Sequence, residues 1–208
     1  MTTTETTGAP TTRAQQREDT RERIVSAAVE AFAERGFRGA STRDIAQRAG
    51  TNQGLITYHF RSKDELWRAA VDHIFGQLAA GFVEHLAAFE HPDPRERGRE
   101  AIRAYVRFTA AHPELFRFMV DEGKGSDDRM QWLVDTHVKP GFDRMKRQLR
   151  IVAGISEALI PHAFYALAGS ASLIFAVAPE CRRLTGLDPE TPEAIETHAD
   201  FVASLILP

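Results

Sequence analysis

The sequence predicts an all-α protein of about nine helices, built as a small N-terminal three-helix unit followed by a larger helical body. Apolar residues recur at three- and four-residue spacing rather than in alternation. Helix-opening residues (Ser, Asn, Asp or Thr, often followed by Pro or an acidic residue) stand ahead of the apolar runs, and no strand-turn-strand signal occurs. With 208 residues, 43% of them hydrophobic and 26% charged, the chain can bury a sizeable core. The expected divisions are an arm without fixed structure at residues 1–17, a helix-turn-helix unit at 18–66 and a helical body at 67–208.

Residues 1–17 are Thr-rich and nearly devoid of large apolar side chains, the composition of a disordered arm. Two readings of Arg13, Arg17 and Arg21 stay open: contacts to phosphates or a minor groove, or a solvated tail. From Asp19 to Arg35, Ile24, Ala27, Ala28, Ala31 and Phe32 share one face, and Gly36 should stop this first helix with Phe37 folding back. Ser41, with Asp44 three residues on, opens a second helix whose Ile45, Ala46 and Ala49 face one way, and Gly50 ends it. Asn52 caps a third, in which Leu55, Ile56 and Phe60 turn inward while Gln53, Gly54, Thr57 and Tyr58 are left to face out. Two short helices about a tight glycine turn form a helix-turn-helix, which docks its second helix in the major groove of DNA.

The residues themselves carry a resemblance. The pattern T-x-x-I-A-x-x-A-G-x-x-x-G-x-x-x-Y-H-F-x-x-K-x-x-L, from Thr42 to Leu66, resembles the DNA-binding domain of the TetR family of transcriptional regulators, over roughly residues 20–68. The resemblance implies phosphate contacts from Thr42, Tyr58 and Lys63, with His59 near the backbone, and base contacts from Arg43, Gln53, Gly54 and Thr57. The chemistry agrees for most of these: Arg43 and Gln53 can bond bidentately to guanine or adenine. Thr57 departs from the pattern, because many family members carry Tyr there; the smaller side chain gives up a phosphate or stacking contact and suits a thymine methyl.

Beyond the unit, Ser62-Lys63-Asp64-Glu65 is a capping box for a helix reaching about Phe89, on the order of 40 Å long and able to carry motion from body to head. Asp93-Pro94 and His112-Pro113 open the next two helices, the second ending at Gly123. Residues 128–152 form another, with Pro140 a point of kinking. Residues 160–178 are apolar nearly all round and stop at Pro179; Thr191-Pro192 opens the last helix. A helix apolar on every face must be covered on every face. A symmetric partner is therefore expected, and the resemblance implies one, with Phe164, Leu167, Ala171, Ile174, Phe175, Ile195, Ala199, Val202 and Leu205 as candidate dimer contacts.

Aromatic and soft side chains are plentiful between the long helix and this pair. Together with a few polar groups they make a candidate pocket for a small apolar or aromatic effector: Phe82, His85, Tyr105, Phe108, Thr109, Phe116, Met119, Trp132, His137, His162 and Tyr165. The eight histidines are scattered, with no HExxH and no metal-ligand spacing, so neither a metal nor any other cofactor is expected, nor a catalytic constellation. The single Cys181 excludes an internal disulfide. No uninterrupted apolar run reaches 18 residues, residues 163–178 coming nearest, so a soluble cytoplasmic protein without a membrane partner is expected. Net charge is −3, yet residues 13–68 hold 11 Lys and Arg against 8 Asp and Glu, while residues 69–208 hold 15 against 20. A basic module on an acidic body suits a local binder of phosphate. The expected function is a homodimeric, ligand-responsive repressor, not an enzyme, released from a pseudo-palindromic operator in double-stranded DNA by its effector. An activator or co-repressor-dependent regulator, and a helical ligand carrier without DNA binding, are the alternatives.

Overall fold

The computed structural model describes residues 12–207, which contain helices and no strands. Ten helices follow one another: α1 (Arg13–Gly39), α2 (Thr42–Arg48), α3 (Gln53–His59), α4 (Lys63–Ala88), α5 (Pro94–Ala111) and α6 (Pro113–Glu122) come first. α7 is continuous from Asp128 to Ala153 but changes register, with a π turn at Val134–Val138 between two α-helical segments. α8 (Ile160–Ala176), α9 (Ala178–Thr185) and α10 (Pro192–Ile206) complete the chain.

The caps explain most of these boundaries. Ser41 Oγ accepts from the Asp44 N–H at 3.1 Å, Asn52 Oδ1 from Leu55 at 3.0 Å and Ser62 Oγ from Glu65 at 3.0 Å, so three consecutive helices start where a side chain satisfies an orphan donor. Gly50 turns the chain between α2 and α3 at φ 61°. Gly36 interrupts α1 at φ 64° and ψ 172°, a region open essentially only to glycine, and lets Phe37 stack on Phe32 with centroids 5.9 Å apart.

Three expectations change. The first helix begins at Arg13, where Thr12 and Gln15 form a reciprocal capping box, so residues 13–17 are helical rather than an unstructured arm; residues 1–11 lie outside the described residues. Pro140 produces a π turn rather than a simple kink: Pro140 cannot donate, and the preceding Lys139 N–H reaches back five residues to the Val134 carbonyl. The apolar run at 160–178 does not stop at Pro179. α8 ends at Ala176, and Pro179 sits in the first turn of the short α9, where its missing N–H costs nothing.

Two apolar cores result. The first gathers Ile24, Ala28 and Phe32 of α1, Ile45 of α2, and Ile56 and Phe60 of α3 and its C-cap with Leu66, Trp67, Val71 and Ile74 of α4. It then continues to Leu115 and Phe118 of α6 and Leu133 of α7. The head is thus packed onto the first three turns of α4 and onto the body elements beside them. The second joins Ile102 and Val106 of α5, Leu149 of α7, Ala171 and Phe175 of α8, and Ala199, Val202 and Ala203 of α10.

Candidate nucleic-acid interface and effector seam

The short helix α3 stands on two buried feet, Ile56 and Phe60, and on the scaffold of α1 and α2. That scaffold is pinned by Arg48, which reaches Glu34 of α1 at 2.6 Å and Asp44 at 3.1 Å; the Arg48 hydrogen bond holds the Glu34 carboxyl below its ordinary value. Gln53, Gly54, Thr57 and Tyr58 are exposed on α3, Tyr58 at 65%, and Arg43 is exposed on α2. Leu55, expected inward, is instead 36% exposed, because on a seven-residue helix only Ile56 and Phe60 share the inward stripe.

Several predicted contacts already engage each other. The Gln53 amide donates to Thr42 Oγ1 at 3.1 Å, bridging the starts of α2 and α3, and Thr57 Oγ1 donates to the Gln53 carbonyl at 3.2 Å. His59 is half-buried, and burial, followed by the Arg17 and Arg21 charges, pushes its pKa down. Lys63 leans over the Phe37 ring at 4.7 Å; burial and the neighbouring Arg129 push its pKa down too. Ala46, Ala49 and Phe60 are buried scaffold.

Where head meets body, Trp67 is fully buried and donates to Glu122 at 3.2 Å, while the Arg129 guanidinium lies 3.9 Å from the centre of the Phe37 ring. Burial pushes the Glu122 carboxyl up, with Arg129 opposing. Nothing in residue spacing signals this junction, since its members come from α1, α4, α6 and α7.

The predicted pocket residues divide. Phe108, Met119 and Trp132 pack against the first core and Tyr105 against the second, so Phe108 and Tyr105, close together on α5, mark the seam between the two. Phe82 and Tyr105 meet in that seam at 6.3 Å, and burial pushes the Tyr105 phenol up. Phe116 is half-buried on α6. His85 bonds Glu100 at 2.6 Å; Glu100 also accepts from Arg107 at 2.9 Å, and Arg107 holds Glu196 of α10 through both carboxylate oxygens. Burial alone would raise the Glu100 carboxyl, but the His85 and Arg107 hydrogen bonds outweigh it and the net shift is downward. His137, in the π turn, bonds Asp72 of α4 at 2.9 Å and stacks on Phe75 at 4.8 Å, tying α7 to the long helix.

Three pocket candidates are displaced by the structure. Thr109 is fully buried with its hydroxyl donating to backbone carbonyls, and His162 and Tyr165 are exposed on the outer face of α8, Tyr165 at 75%. Four dimer candidates are displaced as well. Ala171, Phe175, Ala199 and Val202 are buried in the chain's own second core, since the small-residue face of α8 admits close approach of α5 and α10. Phe164, Leu167, Ile174 and Ile195 are half-buried; Leu205 remains outward at 57%, joined there by Leu173, Val177, Leu184 and Phe201. No uninterrupted apolar run reaches 18 residues, yet the stretch Glu157–Ala176 is long and apolar enough on average to cross a membrane, and only 22% of it is buried in the single chain. The two measures differ because an average over the whole helix tolerates isolated polar residues such as His162 and Ser170, which break an uninterrupted run.

Fold and site together define an all-helical protein whose N-terminal head presents a helix-turn-helix. The family model of bacterial regulatory proteins, tetR family, matches residues 24–70, which span most of the helix-turn-helix head and the first turns of α4. The repressor NicS of Pseudomonas putida is 31% identical over 110 residues, 53% of this chain and 51% of that protein, so the chain spans about half the length of the curated relative it matches. Among solved structures, the regulator FadR from Bacillus subtilis in complex with stearoyl-CoA is 19% identical with a TM-score of 0.63, covering 89% of this chain and 97% of that one. AibR, in complex with isovaleryl coenzyme A and operator DNA, is 15% identical with a TM-score of 0.69, covering 91% and 98%. At these identities the two structures establish a shared fold.

Proposed function

We propose that the protein is a homodimeric, ligand-responsive regulator that binds a pseudo-palindromic operator and represses transcription until an apolar effector releases it. The observation that carries this reading is α3, a helix whose apolar residues Ile56 and Phe60 are fixed in a core while Gln53, Gly54, Thr57 and Tyr58 stand out to solvent. A groove-reading helix needs that division. The likeness to NicS, a repressor, supports the sign of regulation.

Two features of the body support the rest. The outward side of α8, α9 and α10 carries Tyr165, Leu173, Val177, Leu184, Phe201 and Leu205, an apolar face of the kind a second copy covers. The seam between the cores, with Phe82, Tyr105 and Phe108 around it, lies beside α4, the helix that begins at the head. An effector that binds a form with the seam opened shifts the population of head orientations by its differential affinity, and operator affinity falls by the same factor. The acyl-CoA complexes of the two similar structures make acyl thioesters the first effectors to test.

A mobility-shift titration on the DNA upstream of the protein's own gene tests the reading, with and without acyl-CoA of short and long chain. The expected result is one retarded species at dimer stoichiometry, dissolved by one chain length and indifferent to CoA alone. Absence of any retarded species would overturn it. A transcription assay on the same template decides repressor against activator.

A further inference from the structure

We propose that the first two turns of α1 form a second DNA-contact surface, on which Arg13 and Arg17 bind the sugar-phosphate backbone alongside the groove occupied by α3. The inference rests on the regulator reading and extends it to residues outside the helix-turn-helix pattern.

Arg13, Arg17 and Arg21 are spaced four apart and so share one face of α1, about 6 Å from one to the next along the axis. That face looks across to the recognition helix. The Arg17 guanidinium carbon lies 5.6 Å from the centre of the Tyr58 ring, and that of Arg21 lies 5.6 Å from the centre of Phe60. Between the two helices runs an open groove of about 460 Å³, walled by Arg13 and Arg17 on one side and by Leu55, Tyr58 and His59 on the other. No carboxylate lines it. The opposite flank of α1 is different: there Asp19, Glu22 and Glu30 surround Arg23 and Arg48, and the charges offset one another.

Among the described residues neither Arg13 nor Arg17 has an acidic partner within ion-pair distance, whereas Arg21 has Glu18 at 3.5 Å, which is why only the first two enter the proposal. Two uncompensated cations, an exposed phenol and no anion make a surface that a polyanion would fill. Its occupant is set by continuity. The groove shares Tyr58 with the exposed face of α3, so DNA docked on that face brings its backbone to Arg13 and Arg17. The Thr12–Gln15 capping box holds the first turn in helical form, placing Arg13 on the helix rather than on a free tail.

The test measures binding of wild type, Arg13→Ala/Arg17→Ala and Arg17→Lys to operator and random duplexes by fluorescence anisotropy over a salt series. Arg147→Ala/Arg150→Ala, two exposed arginines of the body, serves as control. Each phosphate contact contributes about 0.9 to the slope of log affinity against log salt, so losing two per head makes the dimer slope shallower by about 3.6. The double alanine variant should lose operator and random binding alike, tenfold or more at 0.1 M salt. Arg17→Lys should keep the slope, the body variant should match wild type, and ethylation interference should show two fewer essential phosphates per half-site in the double variant. Wild-type binding with an unchanged slope in the double variant overturns the groove alone. A loss confined to the operator overturns backbone contact in favour of base reading. Wild-type protein that binds no duplex overturns the regulator reading and this inference with it.

Discussion

Head and body treat their apolar side chains in opposite ways. In the head the large apolar residues of α1, α2 and α3 go inward, apart from Leu55 and Tyr58 on the recognition helix. In the body, α8 and α10 bury small residues such as Ala171 and Ala199 within the chain and leave Tyr165, Leu173, Phe201 and Leu205 in solvent. Close approach of α5, α8 and α10 needs the small residues between them; Phe175 and Val202 fill the core beside them, and the remaining large side chains are left on the outside. A head finished in one chain beside a body unfinished in one chain is the division expected if the partner is met by the body and the DNA by the head.

The largest effect should come from the residue that binds the two regions. Trp67→Ala empties a fully buried site and strands Glu122, and should cost about 3–5 kcal/mol in urea unfolding, a large share of a typical domain's stability. A single transition in wild type with two separate ones in the variant would show that Trp67 makes head and body a single cooperative unit; a loss under about 1 kcal/mol would refute its central role.

Next is the unfinished face. Tyr165→Glu/Phe201→Glu should leave helicity near wild type, because both side chains are exposed in the single chain, while sedimentation velocity changes from dimer to monomer at micromolar concentration and the unfolding midpoint falls with the loss of the partner. A variant still dimeric would place the partner elsewhere. Operator affinity should fall with the dimer, since two heads are needed for two half-sites.

A smaller effect belongs to the exposed side of α3. Gln53→Ala should lose about 1–3 kcal/mol of discrimination at one base pair with random-duplex affinity unchanged. Equal loss on both duplexes would mean that the Gln53 amide serves chiefly to hold Thr42. Tyr58→Phe should instead weaken binding to all sequences.

The smallest concerns the buried carboxyl at the junction. Burial pushes the Glu122 pKa up, so the folded protein holds that proton more tightly than the unfolded chain does. Its contribution is fully present below the ordinary carboxylate value and declines as pH rises from there toward the folded value. Glu122→Gln keeps a hydrogen-bond acceptor for Trp67, and its stability relative to wild type should rise across that window and level off above it. A constant difference from pH 4 to pH 8 would show that Glu122 ionises freely.

The head was legible in the sequence because its determinants are local. Ser41, Asn52 and Ser62 each cap a helix through a hydrogen bond to a residue three positions on, and Gly50 turns the chain within the same stretch. The body was legible only as a series of helices. That Ala171 and Val202 face inward while Leu173 and Phe201 face outward depends on which neighbours α8 and α10 meet, and a helix apolar on every side gives no phase to read. Likewise Trp67, Glu122 and Arg129 are brought together from positions up to 62 residues apart, which no spacing rule reaches. Sequence alone settled most of the helices and their starts, those of α1 and α9 excepted, and the exposed residues of the DNA-binding pattern, since hydrogen bonds within a few residues decide those. Tertiary packing alone decided the approach of Arg17 to Tyr58, the π turn's grip on α4 and the face left for a partner, because each is a matter of segments distant in the chain.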